Sequence, residues 1–461
     1  MAGQAVVLGA SMSGLLAARV LADHFDTVAV VERDVLPDGT DQRRGVPQGR
    51  HVHGLLCAGA SALDALFPGF LDELAADGAT RLDERGAHRL SMMFGGHPLH
   101  FPMSFTRPLV SYLCSRPFLE THVRQRVRST GNIQILDGHD VAGMTMSGDG
   151  RRVSGVRIAD RAGGAEQTLD ADLVVDATGR SARTPAFLER HGYPRPVEER
   201  IAIQVAYSSQ LLRIPRDAVE QRLFLIAPAP ELAAAAVLFA YENDTWMFTA
   251  VGLTGNDPPT DPGGMKAFVA PFAPQALRAA LDAAQPLSQV SSYRYPASVR
   301  RRYDRIRRFP LGLLVTGDAI CSFNPAYGQG MSVAALEALI LRDCLESGTR
   351  DLHRRFQHSA AKLLDRVWQM AAGADLTFPQ VEGPRPVSIR LNNWYTDRVL
   401  TAAESDTTVS EAFFRVMNLV DPPTRLLRPS VLARSIAARS HRAPATATGQ
   451  LSAAPGVTSD R

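Results

Sequence analysis

The N-terminus of the chain combines a short apolar run, a turn of small residues and an apolar helix. Residues 5–8 read AVVL, and they are followed by a G-x-S-x-x-G pattern that begins at Gly9 and ends at Gly14. Gly9 permits a tight turn, the small Ser11 lets backbone N–H groups approach a pyrophosphate, and Gly14 lets the helix pack closely on the strand. The pattern therefore predicts a strand, turn and helix that cradle a nucleotide.

A second apolar run, residues 27–31, ends directly before Glu32. An acidic residue at this distance from the glycine turn is placed to bind a ribose hydroxyl of NAD or FAD, and it argues against a 2′-phosphate there. A plain strand-to-helix connection without a nucleotide is the alternative, because glycine and serine turns also occur in such connections.

Two later apolar strands also end in turns that suit a nucleotide. Residues 171–175 lead into the sequence DATGR, and residues 311–316 lead into Gly317 and Asp318. A glycine-rich segment, residues 324–331 (NPAYGQGM), then begins a further helix. Between residues 200 and 300 the alternation of apolar and polar residues predicts a large mixed sheet.

Composition and length limit the class of protein. The 461 residues exceed a usual single core, so two interlocked domains, or one with appendages, are expected. The net charge of +3 is small and the basic residues are scattered, which argues against a nucleic-acid partner. Neither a leader peptide nor a membrane span is expected. The four cysteines lack C-x-x-C spacing and predict free thiols in a reducing, cytoplasmic environment; they are Cys57, Cys114, Cys321 and Cys344.

The order of these three turns resembles the FAD-dependent monooxygenases of the para-hydroxybenzoate hydroxylase superfamily (group A), over about residues 4–345. Within that superfamily the sequence is most similar to bacterial polyether-type FAD-dependent epoxidases. The matching stretches are residues 43–53 (RRGVPQGRHVH), 115–116, 174–180, 301–305 and 317–331.

The resemblance implies an α/β fold in which a Rossmann-like FAD-binding domain is interlaced with a mixed β-sheet substrate domain and followed by C-terminal helices. The predicted FAD-binding domain is discontinuous, with residues 1–80, 112–182 and 300–345. The predicted substrate domain comprises residues 81–111 and 183–299. Residues 346–440 form a C-terminal helical region, and the polar tail 441–461 is expected to be disordered.

The resemblance also implies roles for individual residues. Glu32 would bind the adenosine ribose, Arg116 would reach the phosphate or ribityl region, Val141 would flank the adenine through its backbone, and Asp318 would accept a hydrogen bond from the ribityl chain. The predicted cofactor-binding residues are Gly9, Ser11, Ser13, Gly14, Glu32, Arg33, Arg44, Arg116, Val141, Asp318, Gly328, Gln329, Gly330 and Met331. The predicted catalytic positions act through their backbone in a loop beside the flavin ring, where the positive end of the next helix lies near flavin N1; they are Pro325, Gly328 and Gly330.

The activity implied by the resemblance is a monooxygenase. It would insert one oxygen atom from O2, through a flavin C4a-hydroperoxide, into a hydrophobic natural product, by epoxidation of an alkene or hydroxylation of an electron-rich ring. NAD(P)H would be a transient reductant, or a separate flavin reductase would supply the electrons. No metal is expected: His51 and His53 would share one face of a strand-like segment, but no carboxylate or thiol accompanies them. A loop that contacts or gates the flavin is the preferred interpretation of that segment.

Several alternatives stay open at this point. A reductase of isoprenoid double bonds, a flavin-dependent halogenase and a non-catalytic FAD-binding protein would share the FAD domain. The halogenase is disfavoured because the three tryptophans stand isolated and lysine occurs only at Lys266 and Lys362. Asp318 could instead cap a helix, and Arg44 and Arg50 could be solvated loop charges.

Overall fold

The computed structural model describes residues 3–99, 105–106 and 108–438, so the tail predicted to be disordered, residues 441–461, lies outside the described residues. The strands are β1 (Gln4–Leu8), β2 (Thr27–Val31), β3 (Thr80–Leu82), β4 (Leu90–Phe94), β5 (His97–Pro98), β6 (Ser111–Leu113), β7 (Ile133–Leu136), β8 (His139–Met146), β9 (Val153–Asp160), β10 (Glu166–Asp170), β11 (Leu173–Asp176), β12 (Glu198–Ile201), β13 (Val205–Arg213), β14 (Leu223–Ile226), β15 (Ala234–Ala240), β16 (Thr245–Leu253), β17 (Gln285–Pro286), β18 (Ser291–Tyr295), β19 (Ser298–Arg301), β20 (Leu313–Val315) and β21 (Cys321–Ser322). The helices are α1 (Met12–Ala22), α2 (Cys57–Leu66), α3 (Phe70–Ala76), α4 (Arg116–Arg128), α5 (Thr184–Arg190), α6 (Pro262–Val269), α7 (Gln275–Ala283), α8 (Gly330–Glu346), α9 (Leu352–Asp375), α10 (Val387–Ala403), α11 (Thr407–Met417) and α12 (Pro429–Ala437).

A five-stranded parallel sheet contains the strand ends singled out in the sequence. Its order is β20-β11-β1-β2-β7, and every neighbouring pair is parallel. The apolar runs suit a sheet that is covered on both faces. The chain leaves β1 toward β2 on one side and returns to β11 on the other, so the switch point lies at the carboxyl end of β1. Open α/β sheets bind ligands in the crevice at that point.

Helix α1 packs on this sheet and helix α8 packs on α1, and both belong to the same hydrophobic core. Helix α4 begins as the sequence predicts: Ser115 is its N-cap, and the Ser115 Oγ accepts a hydrogen bond from the Phe118 N–H at 3.2 Å. A three-stranded antiparallel sheet, β10-β9-β8, follows strand β7 along the chain, and its strand β8 contacts β2.

The second large layer is an eight-stranded mixed sheet of order β17-β13-β16-β15-β14-β4-β5, with β18 also paired to β13. One face carries Trp246 and Phe248, which pack into a core with helices α6 and α7. The opposite face carries Val237, Phe239 and Val251, which line a cavity. The predicted alternation therefore separates a packed face from a cavity face.

Helices α10 and α11 cover the far side of that cavity. Their apolar residues, including Leu400 and Phe413, form a cluster with Phe94 of the large sheet. The α/β fold with a parallel sheet, mixed sheets and C-terminal helices confirms the predicted fold class. None of the helices among the described residues is long and apolar enough to cross a membrane, and the four cysteines are buried and unpaired.

Candidate cofactor site

One cavity of about 2060 Å³ runs from the carboxyl ends of β1 and β11 to the cavity face of the large sheet. Single small-molecule sites commonly occupy roughly 300–1,000 Å³. The cavity therefore has room for a dinucleotide and for a second molecule beside it.

The turn after β1 is built as its glycines require. Gly9 has φ +98°, in the region that favours glycine, and its N–H donates to the Val31 carbonyl at 2.8 Å. A Cβ on Gly14 would lie 1.8 Å from the Gly9 carbonyl oxygen, so only glycine allows helix α1 to begin this close to the turn. Ser11 is the N-cap of α1, and Ser11 and Ser13 both line the cavity.

A buried chain of ion pairs supports this turn from behind. Arg43 Nη1 lies 3.2 Å from Glu32 Oε2, and Arg43 Nε donates to Glu120 Oε1 at 2.7 Å. Arg116 donates to Glu120 Oε2 at 3.0 Å and to Ser11 Oγ at 2.8 Å. Burial raises the pKa of Glu120, but Arg116 and Arg43 outweigh burial and hold this pKa below its ordinary value. The chain keeps Glu32 and Arg116 in fixed positions at the cavity wall.

Glu32 is already partly engaged within the protein. Its Oε2 also accepts the Ala10 N–H at 2.8 Å, and its Oε1 accepts the Asp34 N–H at 3.0 Å. A carboxylate offers about four acceptor positions, so capacity is left on Oε1 for a hydroxyl donor in the cavity.

Asp318 lies in a short turn after β20 and exposes its carboxylate to the cavity. No described residue donates a hydrogen bond to it, so it does not cap a helix as the alternative interpretation had it. Desolvation of the carboxylate by the surrounding protein raises the pKa of Asp318, and the positive charges of the nearby Arg180 and Arg116 oppose this rise. An acceptor of this kind is available to a ligand hydroxyl.

The segment 324–330, which we call the ring loop, connects β21 to α8. Asn324 Oδ1 accepts the Ala326 N–H at 3.0 Å, and Gly328 has φ +65°. Ideal Cβ atoms on Gly328 and Gly330 would meet no atom within 4 Å. The backbone of the ring loop therefore borders open cavity.

Two buried carboxyls stand behind the ring loop and the Asp318 turn. Asp375 Oδ1 accepts from Tyr327 Oη at 2.7 Å and from Asn324 Nδ2 at 2.9 Å. Glu337 Oε2 accepts from the Gly317 N–H at 2.7 Å. The second oxygen of each carboxyl, within the described part of the chain, has no partner. Burial raises the pKa of Asp375 to about 6 and that of Glu337 to about 7.

The structure brings most of the predicted site residues to this one cavity. Those that line it are Gly9, Ser11, Ser13, Glu32, Arg33, Arg116, Val141, Asp318, Pro325, Gly328, Gln329, Gly330 and Met331. Gly14 is buried beneath the turn. Arg44 and Arg50 are exposed and line no part of the cavity; the neighbouring Arg43 is the buried arginine that contacts Glu32.

The segment containing His51 and His53 is not strand-like, as the sequence interpretation had it. It follows a 3-10 turn, Pro47–Arg50, and has no regular structure, because its backbone groups bond to side chains and turns. For example, the His53 N–H donates to Tyr241 Oη at 2.6 Å. Both histidines line the cavity, and among the described residues no group of three possible metal ligands occurs.

Sequence reasoning missed Arg43, Glu120, Glu337 and Asp375. Arg43 lies within the stretch RRGVPQGRHVH, so proximity to the motif was its only signal. Glu337 lies inside helix α8 and Asp375 is the last residue of α9. The apolar run VAALEALIL around Glu337, residues 333–341, was the signal that could have indicated a buried carboxyl there.

The residues present fit FAD. The glycine turn and the start of α1 offer backbone N–H groups to a pyrophosphate, and Asp318 offers an unengaged acceptor. The open space beside Gly328 and Gly330 leaves room for a flat ring against the ring loop.

Comparison with known proteins agrees with this fit. The family model described as FAD dependent oxidoreductase matches residues 4–182. Protein Rv3254 of Mycobacterium tuberculosis is 36% identical over 442 residues, which cover 94% of this chain and 93% of that protein. Kynurenine 3-monooxygenase of Salinispora arenicola is 26% identical over 372 residues, covering 74% of this chain and 72% of that enzyme.

Solved structures show the same fold. The flavin-dependent brominase Bmp2 aligns with a TM-score of 0.65 and 14% identity, over 95% of this chain and 98% of that chain. The p-nitrophenol 4-monooxygenase PnpA from Pseudomonas putida aligns with a TM-score of 0.63 and 17% identity, over 91% of this chain and 98% of that chain. Together with the family match and the close relative, these findings establish that the chain belongs to the FAD-dependent oxidoreductases and that FAD is its cofactor.

Proposed function

We propose that the protein is an FAD-dependent monooxygenase that inserts one oxygen atom from O2 into a large, mainly apolar molecule, by epoxidation or by ring hydroxylation. The observation that carries the proposal is the continuation of the cofactor cavity past the ring loop into an apolar chamber. When bound, FAD supplies the redox and oxygen chemistry. The protein has to bind the two molecules, orient them and exclude water.

The apolar chamber lies between the large sheet and the C-terminal helices. Apolar side chains from both layers line it, and they include Leu225, Val237, Phe239, Phe413 and Phe414. Leu82 and Leu113 of the small β3–β6 sheet line it as well. Such a lining favours a hydrophobic substrate through burial of apolar surface. It also keeps water from the reacting centre, which limits side reactions.

The start of helix α8 supports flavin reduction in this proposal. The helix begins at Gly330, directly after the ring loop, and it is 17 residues long. The first N–H groups of an α-helix have no partner within the helix and carry a partial positive charge. With FAD bound, this end of α8 would stabilise negative charge on the flavin ring.

The roles of the remaining site residues are part of the proposal. Glu32 would bind the adenosine ribose, because it lines the cavity and bonds to the turn after β1, and Val141, which lines the same cavity, would flank the adenine. Arg116 would contact the pyrophosphate and Asp318 the ribityl chain. NAD(P)H, acting transiently, or a separate flavin reductase would supply the electrons.

The kynurenine 3-monooxygenase relative supports a monooxygenase, and the cavity lining disfavours a halogenase. A halogenase of this fold needs a lysine at its reaction chamber. The chain has two lysines, Lys266 and Lys362, and neither lines the cavity. The likeness to Bmp2 is therefore one of fold.

Oxygen labelling tests the proposal. The FAD-loaded protein is mixed with NADPH under 18O2 and a panel of polyenes, terpenoids and phenols, and the products are examined by mass spectrometry. We expect substrate-stimulated oxygen uptake and a product that carries one 18O atom. A reduced product without oxygen uptake would indicate a double-bond reductase, and a halogenated product in the presence of bromide or chloride would indicate a halogenase; either result contradicts the proposal.

A further inference from the structure

The cavity wall contains a buried histidine that the proposed function has not used. His51 lines the cavity and is 8% exposed. Its ring lies against two tyrosines, with centroid distances of 5.8 Å to Tyr207 and 5.9 Å to Tyr293. Tyr207 Oη in turn lies 3.5 Å from Asn324 Oδ1 of the ring loop. His51 therefore stands where the ring loop meets the apolar chamber.

A chain of hydroxyl groups holds one nitrogen of this imidazole. His51 Nδ1 lies 2.8 Å from Ser209 Oγ, and Ser209 Oγ lies 2.7 Å from Thr249 Oγ1. The chain ends at the Val52 backbone N–H, which donates to Thr249 Oγ1 at 3.2 Å. Ser209 and Thr249 are 1% and 0% exposed, so bulk solvent does not reach their hydroxyl groups.

The backbone end of this chain sets the direction of its hydrogen bonds. A backbone N–H can only donate, so Thr249 Oγ1 is an acceptor there. If the Thr249 hydroxyl donates to Ser209 and the Ser209 hydroxyl donates to His51 Nδ1, every proton has an acceptor. In the reverse direction the buried Thr249 proton would have no acceptor among the described residues, which is costly.

The favoured direction makes Nδ1 of His51 an acceptor and leaves the ring proton on Nε2. No described residue pairs with Nε2, and Nε2 is not among the unpartnered side-chain atoms sealed from solvent. Burial, assisted by Arg50, lowers the pKa of His51 to about 4, so the ring is neutral at physiological pH. The protein thus offers one neutral N–H donor to the cavity at this point.

The neighbouring histidine has the opposite tautomer. His53 Nδ1 lies 2.9 Å from the His51 carbonyl oxygen, which can only accept. The proton of His53 is therefore on Nδ1, and its Nε2 is an acceptor. His53 shares the cavity and the segment with His51 but lacks the free donor, which makes it a matched control.

We propose that His51 determines substrate orientation: its Nε2–H donates a hydrogen bond to a carbonyl, ether or hydroxyl oxygen of an otherwise apolar substrate. This inference rests on the proposed function and adds an acceptor group to the substrate class. The bond fixes which end of the substrate lies toward the ring loop, because Tyr207 adjoins both the His51 ring and Asn324 of that loop.

Two matched probes test the hydrogen bond by equilibrium dialysis against the oxidised, FAD-loaded protein. The probes are 2-acetylnaphthalene and 2-isopropylnaphthalene, which have nearly the same shape but differ in the carbonyl oxygen. In His51→Phe we expect the ratio of the acetyl to the isopropyl affinity to fall about tenfold from the wild-type ratio. His51→Gln keeps an N–H donor and should retain most of the ratio, and His53→Phe should leave it unchanged.

The FAD content of each variant shows that the fold is intact. An unchanged affinity ratio in His51→Phe, with both probes bound, would overturn the role of His51 but would not contradict the proposed binding of an apolar substrate in the chamber. If neither probe binds the wild-type protein, the proposed substrate class fails, and this inference fails with it. Nitrogen-15 NMR of histidine-labelled wild-type protein gives an independent readout: we expect the His51 proton on Nε2, and a proton on Nδ1 would overturn the inference without any probe.

Discussion

Replacing Gly14 by alanine tests the nucleotide turn with a single methyl group. The added Cβ would lie 1.8 Å from the Gly9 carbonyl oxygen, whereas ordinary contact begins at 3.4 Å. Neither atom belongs to a flexible side chain, so the start of α1 must move away from the turn. Overpacking of this kind costs about 1–3 kcal/mol of folding stability. The same movement displaces the N–H groups that would face the pyrophosphate.

Because those N–H groups are displaced, we expect the Kd for FAD to rise at least roughly 100-fold, which corresponds to a loss of about 2.7 kcal/mol of binding free energy. Apoprotein of each variant is titrated with FAD, the quenching of flavin fluorescence gives the Kd, and circular dichroism reports the melting temperature. Gly131→Ala is the matched control, since its Cβ would meet no atom within 4 Å. Binding of FAD by Gly14→Ala within twofold of the wild-type Kd would refute the reasoning.

Three further substitutions test the charges around the cavity. Asp318→Asn removes a carboxylate that no described residue engages, and we expect the Kd for FAD to rise roughly tenfold; an unchanged Kd in the same titration would exclude the ribityl role. Arg43→Met removes the cation that pairs with the buried Glu32 and leaves Glu120 with Arg116 alone, and the free energy of unfolding should fall by about 3 kcal/mol in urea; a loss under about 1 kcal/mol would contradict this. Asp375 has a folded pKa of about 6 against 3.8 for the ordinary group, so its ionisation destabilises the folded state as the pH rises from about 4 to 6. Asp375→Asn should remove about 3 kcal/mol of this pH-dependent loss, and identical pH profiles of unfolding for the variant and the wild type would refute it.

The fold and the nucleotide turn could be predicted because their determinants are local. Gly9 and Gly14 are five residues apart, and each is required by the backbone or the close packing at its own position. Apolar runs that end at glycine turns likewise identify the strands of a covered parallel sheet. These features are readable without knowing what the rest of the chain does.

The ion pairs and the hydrogen bonds of the buried carboxyls behind the cavity could not be predicted, because they join segments that are distant in the sequence. Arg43 bonds to Glu120, 77 residues away, and Tyr327 bonds to Asp375, 48 residues away. Arg43 and Arg44 are identical side chains in one irregular loop, and only the packing of that loop against α4 decides which of them points inward. His51 depends on Ser209, which is 158 residues away, so its tautomer is a property of the assembled fold.

The most direct test of this account is the visible absorption spectrum of the purified protein, together with its FAD content per chain after reconstitution. The account predicts a yellow protein that holds one FAD per chain. A colourless protein that takes up no FAD when the cofactor is added would contradict it.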